Sequence, residues 1–244
     1  MRKKSPAEPE FDISEIPAIT GRTVKGGADI PQAVVNRLPV YFRRLRELIN
    51  RDVLKISSEE LADICGVTAS QLRQDMKYFG GLGQRGYGYN VMRIYNSISE
   101  TLGVGRKYSA VIIGAGDLGT ALCGSRLFEQ RGVWVKGVFD VSKKKIGKTV
   151  ADVTVTDASE LKAFCRRRDI DIAVICCPSR TAEELYEMLR GTGVRGVWNF
   201  SPSELDPAVL GVPVVNICTG DSLMMLTHEM SVRENGKNEN KDQL

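Results

Sequence analysis

Histidine is all but missing. His228 is the only one in 244 residues, and it falls in the C-terminal segment, where it reads as a surface or interface residue. Hydride-transfer enzymes usually set a His, Lys or Tyr beside the reacting carbon, and the chain has no Tyr-x-x-x-Lys pair either. An NAD-dependent oxidoreductase is therefore disfavoured. Long apolar runs are missing too. None approaches the roughly 18 residues needed to span a bilayer, and Met1-Arg2-Lys3-Lys4 is followed by Ser, Pro, Ala and Glu, not by the apolar core of a secretion signal. A cytoplasmic protein with no membrane partner is expected. The six cysteines, Cys65, Cys123, Cys165, Cys176, Cys177 and Cys218, form no Cys-x-x-Cys pair and no metal-ligand spacing, so neither a disulfide framework nor a metal site is expected. The neighbours Cys176 and Cys177 invite a thiol-sensor reading. Against it, vicinal cysteines make strained disulfides, and buried cysteine commonly packs as a small apolar residue.

Glycine is plentiful, and one cluster of it organises the chain. Val111-Ile112-Ile113-Gly114-Ala115-Gly116-Asp117-Leu118-Gly119 reads as a buried strand that enters a glycine turn and then a helix. In this pattern Gly114 permits the tight turn, Gly116 lets backbone approach a pyrophosphate, and Gly119 lets the helix pack close to the strand. A second apolar run, Val133 to Phe139, ends in Asp140, about 20 residues past the last glycine, where a dinucleotide fold places an acid. An acid at that strand end accepts hydrogen bonds from the ribose hydroxyls and repels a 2′-phosphate, which points to NAD(H) over NADP(H). Lys143, Lys144 and Lys145 lie just beyond, so NADP and coenzyme A remain as alternative ligands.

The net charge of +4 decides little, but residues 31–95 hold ten Arg/Lys against six Asp/Glu. Within them, Pro31 opens a helical pattern (Val34, Leu38, Tyr41, Leu45, Leu48) that Pro39 should bend or restart. Arg43 and Arg44 lie on its polar surface. Ser57-Ser58-Glu59-Glu60 offers a capping box for a helix that Gly66 stops. A third helix then runs to Phe79, with Leu72, Met76 and Phe79 on one face. Helix, glycine turn and helix at this spacing make a helix-turn-helix. The opposite face carries Ser70, Gln71, Arg73, Gln74 and Lys77, side-chain types that read base edges and hold phosphates. The glycine-rich stretch 80–89 reads as a wing with Arg85 at its tip, suited to a narrow minor groove. Asn90 caps a further helix.

From residue 109 onward, strands and helices alternate, which implies a parallel sheet covered on both faces. Ligands of such a sheet lie at the strands' carboxyl ends, which brings Cys176, Cys177, Pro178, Asn199, Phe200, Ser201 and Pro202 to the crevice that holds Gly116. The expected organisation is a disordered arm (1–28), a winged-helix domain (29–103), a linker (104–108), a Rossmann-like α/β domain (109–217), a C-terminal helix (218–232) and a frayed tail (233–244). The helix expected from Thr219 to Met230 has few partners left in its own domain and is suited to docking on another subunit. Candidate ligand contacts are Gly114, Ala115, Gly116, Asp117, Leu118, Gly119, Asp140, Cys177, Pro178, Asn199 and Phe200. Candidate DNA contacts are Arg43, Arg44, Ser70, Gln71, Arg73, Gln74, Lys77 and Arg85.

Arg37-Leu38-Pro39-Val40-Tyr41, Gln71-Leu72-Arg73-Gln74-Asp75, Gly86-Tyr87-Gly88-Tyr89, Gly114 to Gly119, Phe139-Asp140 and Asn199-Phe200-Ser201-Pro202 together resemble the redox-sensing repressor family Rex over about residues 30–230. The resemblance implies a homodimer with winged-helix domains, NAD(H)-binding Rossmann domains and an exchanged C-terminal helix. It also implies binding to a palindromic AT-rich operator, and release by NADH. Four positions depart from the family pattern: Gln74 where a lysine is usual, Asp117 after the second glycine, Ser125 in place of a tyrosine, and Cys218 in place of an aspartate. The family's NADH trigger is linked to the last two, so a regulator with lost or altered cofactor sensing is the alternative expectation.

Overall fold

A computed structural model describes residues 30–80, 83–84 and 88–239. The arm expected at 1–28 and the wing-tip Arg85 lie outside the described residues. The chain divides into two compact units, with the boundary between Arg106 and Lys107.

The first unit starts with α1 (Gln32–Val35), then α2 (Leu38–Ile49), which begins one residue before Pro39. A proline in the first turn lacks only an N–H that has no helical partner there, so Pro39 restarts the helix and does not break it. A short strand β1 (Lys55–Ile56) leads to α3 (Ser58–Cys65). Its start is the expected capping box: Glu60 N donates to Ser57 Oγ at 3.1 Å and Ser57 N donates to Glu60 Oε2 at 3.0 Å. Its end is Gly66 at φ +71°. Helix α4 (Ala69–Met76) follows, capped by Thr68, whose hydroxyl accepts from Gln71 N, and tightens into a 3-10 turn to Phe79. Strands β2 (Gly83–Gln84) and β3 (Gly88–Asn90) pair antiparallel and join β1 in the order β1-β3-β2. Helix α5 (Val91–Thr101), capped by Asn90, closes one core of Leu38, Tyr41, Leu45, Leu61, Leu72, Met76, Phe79, Ile94 and Ile98. This is a helix-turn-helix with a three-stranded wing sheet.

The second unit is a seven-stranded sheet. Its strands are β4 (Tyr108–Ile113), β5 (Val133–Asp140), β6 (Thr149–Val150), β7 (Val153–Asp157), β8 (Ile172–Ile175), β9 (Gly196–Asn199) and β10 (Val214–Asn216). They lie in the order β10-β9-β8-β4-β5-β7-β6, and every pairing is parallel except β6 with β7. The two halves of the chain thus run outward in opposite directions from the β4/β8 junction, the strand order of a doubly wound dinucleotide fold. Alternate residues of β4 face opposite layers. Val111 and Ile113 pack with α7 (Leu161–Arg168) and α8 (Ser179–Met188), whereas Ile112 packs with Val138, Val174 and Phe128.

Helix α6 (Asp117–Cys123) is shorter than the sequence pattern suggests, which extends to residue 130. Gly124 ends it, and the Ser125 hydroxyl accepts from Leu127 N at 3.1 Å, a local bond that competes with helical pairing. The last helix errs the other way. Helix α10 (Thr219–Glu239), which follows the single turn α9 (Pro207–Leu210), runs through much of the expected frayed tail, and Leu223, Met224, Met225, Leu226 and Met230 on it are exposed.

Gly119 shows how tightly α6 sits on β4. A Cβ there would overlap the carbonyl oxygen of Gly114 and lie 3.3 Å from Ile112 Cγ2. Gly119→Ala is expected to destabilise the second unit by about 3 kcal/mol, as backbone overlap has no flexible neighbour to relieve it. Chemical denaturation followed at Trp198 checks this, with an unshifted midpoint as the contrary result.

Candidate nucleotide cleft and nucleic-acid interface

At the β4/β8 junction of the second unit lies a cleft of about 610 Å³. The turn after β4 supplies Gly114 and Gly116, the end of β5 supplies Asp140, Val141, Ser142 and Lys145, and the turn after β8 supplies Cys176, Cys177 and Pro178. Each glycine has its own reason. Gly114 has φ +106°, and a Cβ on it would come within 2.7 Å of the Cys176 carbonyl oxygen. Gly116 is extended, and a Cβ on it would meet nothing within 4 Å, so its missing side chain leaves space in the cleft and not in the core. These residues fit a dinucleotide whose pyrophosphate lies along the turn.

Asp140 is buried and lines the cleft. Its Oδ2 accepts from Ala115 N at 2.8 Å and from Lys145 Nζ at 3.1 Å, and its Oδ1 accepts from Ser142 N at 2.8 Å. Burial alone would raise its pKa. The two backbone N–H groups and the Lys145 ammonium outweigh burial and hold the carboxyl below the usual carboxylate range. Lys145, one of three lysines that left a 2′-phosphate open in the sequence, is therefore engaged with the acid.

Of the other predicted ligand residues, Phe200 lines the cleft together with Pro202, its ring 4.6 Å from that of Trp198. Asn199 does not line it. Fully buried, it donates from Nδ2 to Ser203 O and Asn216 Oδ1 and accepts from Ser201 N, which fixes the loop that carries Phe200. Asp117 and Leu118 are exposed on α6, and Ala115 acts through its N–H bond to Asp140. Burial pushes the Cys176 thiol up to about 12 and the Cys177 thiol up to about 11. Thiols held protonated in this way are poor nucleophiles, which weighs against thiolate-based sensing. Among the described residues no group of His, Cys, Asp and Glu is arranged to hold a metal, and no helix is long and apolar enough to cross a membrane.

In the first unit α4 presents Ser70, Arg73, Gln74 and Lys77 to solvent. Gln71 is half-buried, and its Nε2 donates to Asp75 Oδ1 at 2.9 Å. Arg73 Nη1 lies 2.9 Å from Glu59 Oε1. On α2, Arg43 is exposed, while Arg44 pairs with Glu47 one turn on.

A buried carboxylate, which the pattern of polar residues on α4 does not reveal, anchors the helix. Asp75, 1% exposed, accepts from Arg37 Nε at 2.7 Å and Arg37 Nη2 at 2.8 Å, from the Tyr41 hydroxyl at 2.7 Å, and from Gln71. The signal was spacing: 72, 75, 76 and 79 share one helical face, so an acid at 75 sits in the apolar stripe. Arg37, the half-buried residue that precedes α2, and the buried Tyr41 are likewise one turn apart. Burial would raise the Asp75 pKa, but its hydrogen bonds, that from Arg37 foremost, hold it below the usual range. Burial and the bond to Asp75 raise the Tyr41 hydroxyl above its ordinary value, and the bond to Asp75 raises the Arg37 guanidinium.

Both units resemble known proteins. A family model described as "Putative DNA-binding protein N-terminus" matches residues 29–76, and one described as "CoA binding domain" matches residues 105–203. The redox-sensing transcriptional repressor Rex of Clostridioides difficile is 43% identical over 84% of this chain and 97% of its own. The chain belongs to the Rex family. The Rex of Caldicellulosiruptor bescii is 41% identical over 83% of this chain and 93% of its own. Among solved structures, RSP, a Rex-family repressor, in complex with β-NAD+ and operator DNA has a TM-score of 0.78 at 40% identity, covering 86% of this chain and 97% of that one. RSP in complex with β-NADH has a TM-score of 0.77 at 38% identity, covering 86% of this chain and 98% of that one. Rex relatives are regulators by name.

Asp75 also sets an acid limit. A carboxyl whose pKa is lower in the folded state stabilises fully above its unfolded value, about 3.9, and that contribution is lost as pH falls through the folded value. Asp75→Asn is expected to destabilise the first unit at pH 7 by about 2 kcal/mol, less than for a fully buried pair because Arg37 is 28% exposed. The gap between variant and parent should close below about pH 4. Urea melts between pH 3 and pH 7 read both effects, and a gap independent of pH contradicts the assignment.

Proposed function

We propose that this chain is a transcriptional repressor that binds a palindromic AT-rich operator and leaves it when NADH rises relative to NAD+. The observation that carries the reading is the joining, in one Rex-family chain, of a helix-turn-helix with a polar outward face and a glycine-floored cleft ended by Asp140. Ser70, Arg73, Gln74 and Lys77 are the proposed DNA contacts of α4, with Arg43, Arg44 and Arg85 on the flanking phosphates or the minor groove. Gly114, Gly116, Asp140, Cys177, Pro178 and Phe200 are the proposed NAD(H) contacts.

Asp140 supports NAD(H) over NADP(H): its carboxylate, held ionised, accepts ribose hydroxyls and repels a 2′-phosphate. The same acid favours NAD(H) over coenzyme A despite the name of the matched domain model. NAD+ carries a positive nicotinamide and NADH does not, which is the difference the bound ligand supplies. Apolar Phe200, Pro202 and Leu185 on the wall of the cleft turn that difference into unequal affinities, and only unequal affinities shift a conformational equilibrium. The described cleft is lined by no histidine or tyrosine, and Lys145 is engaged with Asp140, which supports a regulator over a hydride-transfer enzyme. The reading places the protein in the cytoplasm as a homodimer. In it, the exposed Leu223, Met224, Leu226 and Met230 of α10 dock on the second copy, and 29–103 and 109–217 act as the DNA-binding and NAD(H)-binding domains. Altered sensing is the second reading. It is favoured by Ser125, which stands where the family resemblance implies a tyrosine and whose hydroxyl is tied to Leu127 N beyond the shortened α6.

The test is fluorescence anisotropy of a labelled palindromic AT-rich duplex at fixed salt, titrated with protein and then separately with NADH, NAD+ and NADPH. Release by NADH alone is expected. Retention of DNA with every nucleotide supports altered sensing, and absence of DNA binding overturns both readings. Gly116→Ala sharpens the test, because its methyl fills open cleft space and leaves the core untouched. It is expected to bind DNA like the parent and to need roughly tenfold more NADH or higher for release.

A further inference from the structure

One contact on the outward face of α4 has no part in the fold or in the reading above. Arg73 Nη1 donates to Glu59 Oε1 at 2.9 Å and to Ser58 Oγ at 3.0 Å, and Ser58 Oγ donates to Glu59 Oε2 at 3.1 Å. The three groups close a small ring between the first turn of α3 and the middle of α4. The fold does not require it. Arg73 and Glu59 are 51% and 68% exposed, and ion pairs so open to water contribute little to stability. The α3 N-terminus is already capped by Ser57 and Glu60. The contrast with Gln71 is instructive: Gln71 is fixed by a buried carboxylate, whereas Arg73 is held by one that solvent and ligand can reach. Among the described residues, the side chains of Gln74 and Lys77, its neighbours on the same face, have no such partner.

We propose that Glu59 is a specificity-determining residue, which holds Arg73 in the DNA-free protein and withholds it from phosphates of arbitrary sequence. The inference rests on the DNA-binding reading. A phosphate offers Arg73 the same kind of anionic oxygen that Glu59 already supplies, and it brings its own charge toward the Glu59 carboxylate, so the exchange gains little. This is discrimination by penalising the wrong partner. A guanine edge offers two neutral acceptors, O6 and N7, in the geometry of one guanidinium, and it meets no repulsion from Glu59. Arg73 is thereby directed to a G·C pair of the half-site and away from the backbone.

The experiment uses full-length parent, Glu59→Gln, Arg73→Ala and the double variant, with thermal melts to establish equal folding. Two duplexes serve as probes: one enriched by the parent from a random pool, and a shuffled duplex of the same length and composition. Glu59→Gln is expected to bind the shuffled duplex roughly fivefold more tightly, with log K against log salt steeper by about 0.9, the mark of one added phosphate contact. Binding to the enriched duplex should change by less than about twofold, as a base contact adds no counterion release. In the Arg73→Ala background the Glu59→Gln change should have no effect. Unchanged discrimination in Glu59→Gln, or an equal gain in the Arg73→Ala background, overturns the inference and leaves DNA binding intact. A parent that enriches no duplex overturns the DNA-binding reading and this inference with it.

Discussion

There is no room for a Cβ between the end of β4 and the first turn of α6, and the second unit is arranged around that fact. Because Gly119 lies against the Gly114 carbonyl, the helix starts directly on the strand end. Because Gly114 takes φ +106°, the chain turns without crossing the Cys176 carbonyl that β8 brings alongside. Only Gly116 of the three faces open space, so two glycines serve the packing of the fold and the third leaves room in the cleft. Parallel strands leaving in both directions from β4 then give the cleft walls from separate halves of the chain.

The first unit depends on charge where the second depends on space. Asp75 is a carboxylate inside an apolar core, tolerable only because Arg37, Tyr41 and Gln71 donate to it. These bonds join α4 to the chain at the start of α2, so the orientation of α4 is fixed by directional contacts in addition to packing. Asp140 follows the same logic in another setting. It too is ionised and multiply bonded, but one of its donors, Lys145, is partly exposed at a cleft where a ligand can compete for the acid.

Most of this was legible in the residues. Periodicity and capping chemistry located α3 to the residue, because Ser57, Glu60 and Gly66 each satisfy a local demand that sequence states directly. The glycine spacing and Asp140 located the cleft for the same reason. What escaped depended on contacts between distant segments. Arg37 and Asp75 are 38 positions apart, and nothing local says that one neutralises the other. Gln71 and Arg73 looked alike as readers of DNA, yet one is tied to a buried acid and the other to an exposed one. Asn199 lies at a strand's carboxyl end, as its sequence position implies, but its amide turns into the loop and not toward the cleft. The ends of α6 and α10 differ from their sequence patterns because termination at Gly124 and Ser125 and continuation beyond Arg233 hinge on small local balances.

The assembly of the cleft from two halves of the sheet has a consequence for how the protein acquires its ligand. The turn after β4 and the turn after β8 are brought together by pairing of Ile113 with Ile175, so neither half alone presents a binding surface. A molecule that fills the cleft therefore meets only the finished fold and has no influence on the early, local steps of folding. Its whole effect falls on unfolding: by mass action it adds stability in proportion to the logarithm of its concentration. A low supply of whatever occupies the cleft therefore withdraws stability from the folded chain without changing how it forms.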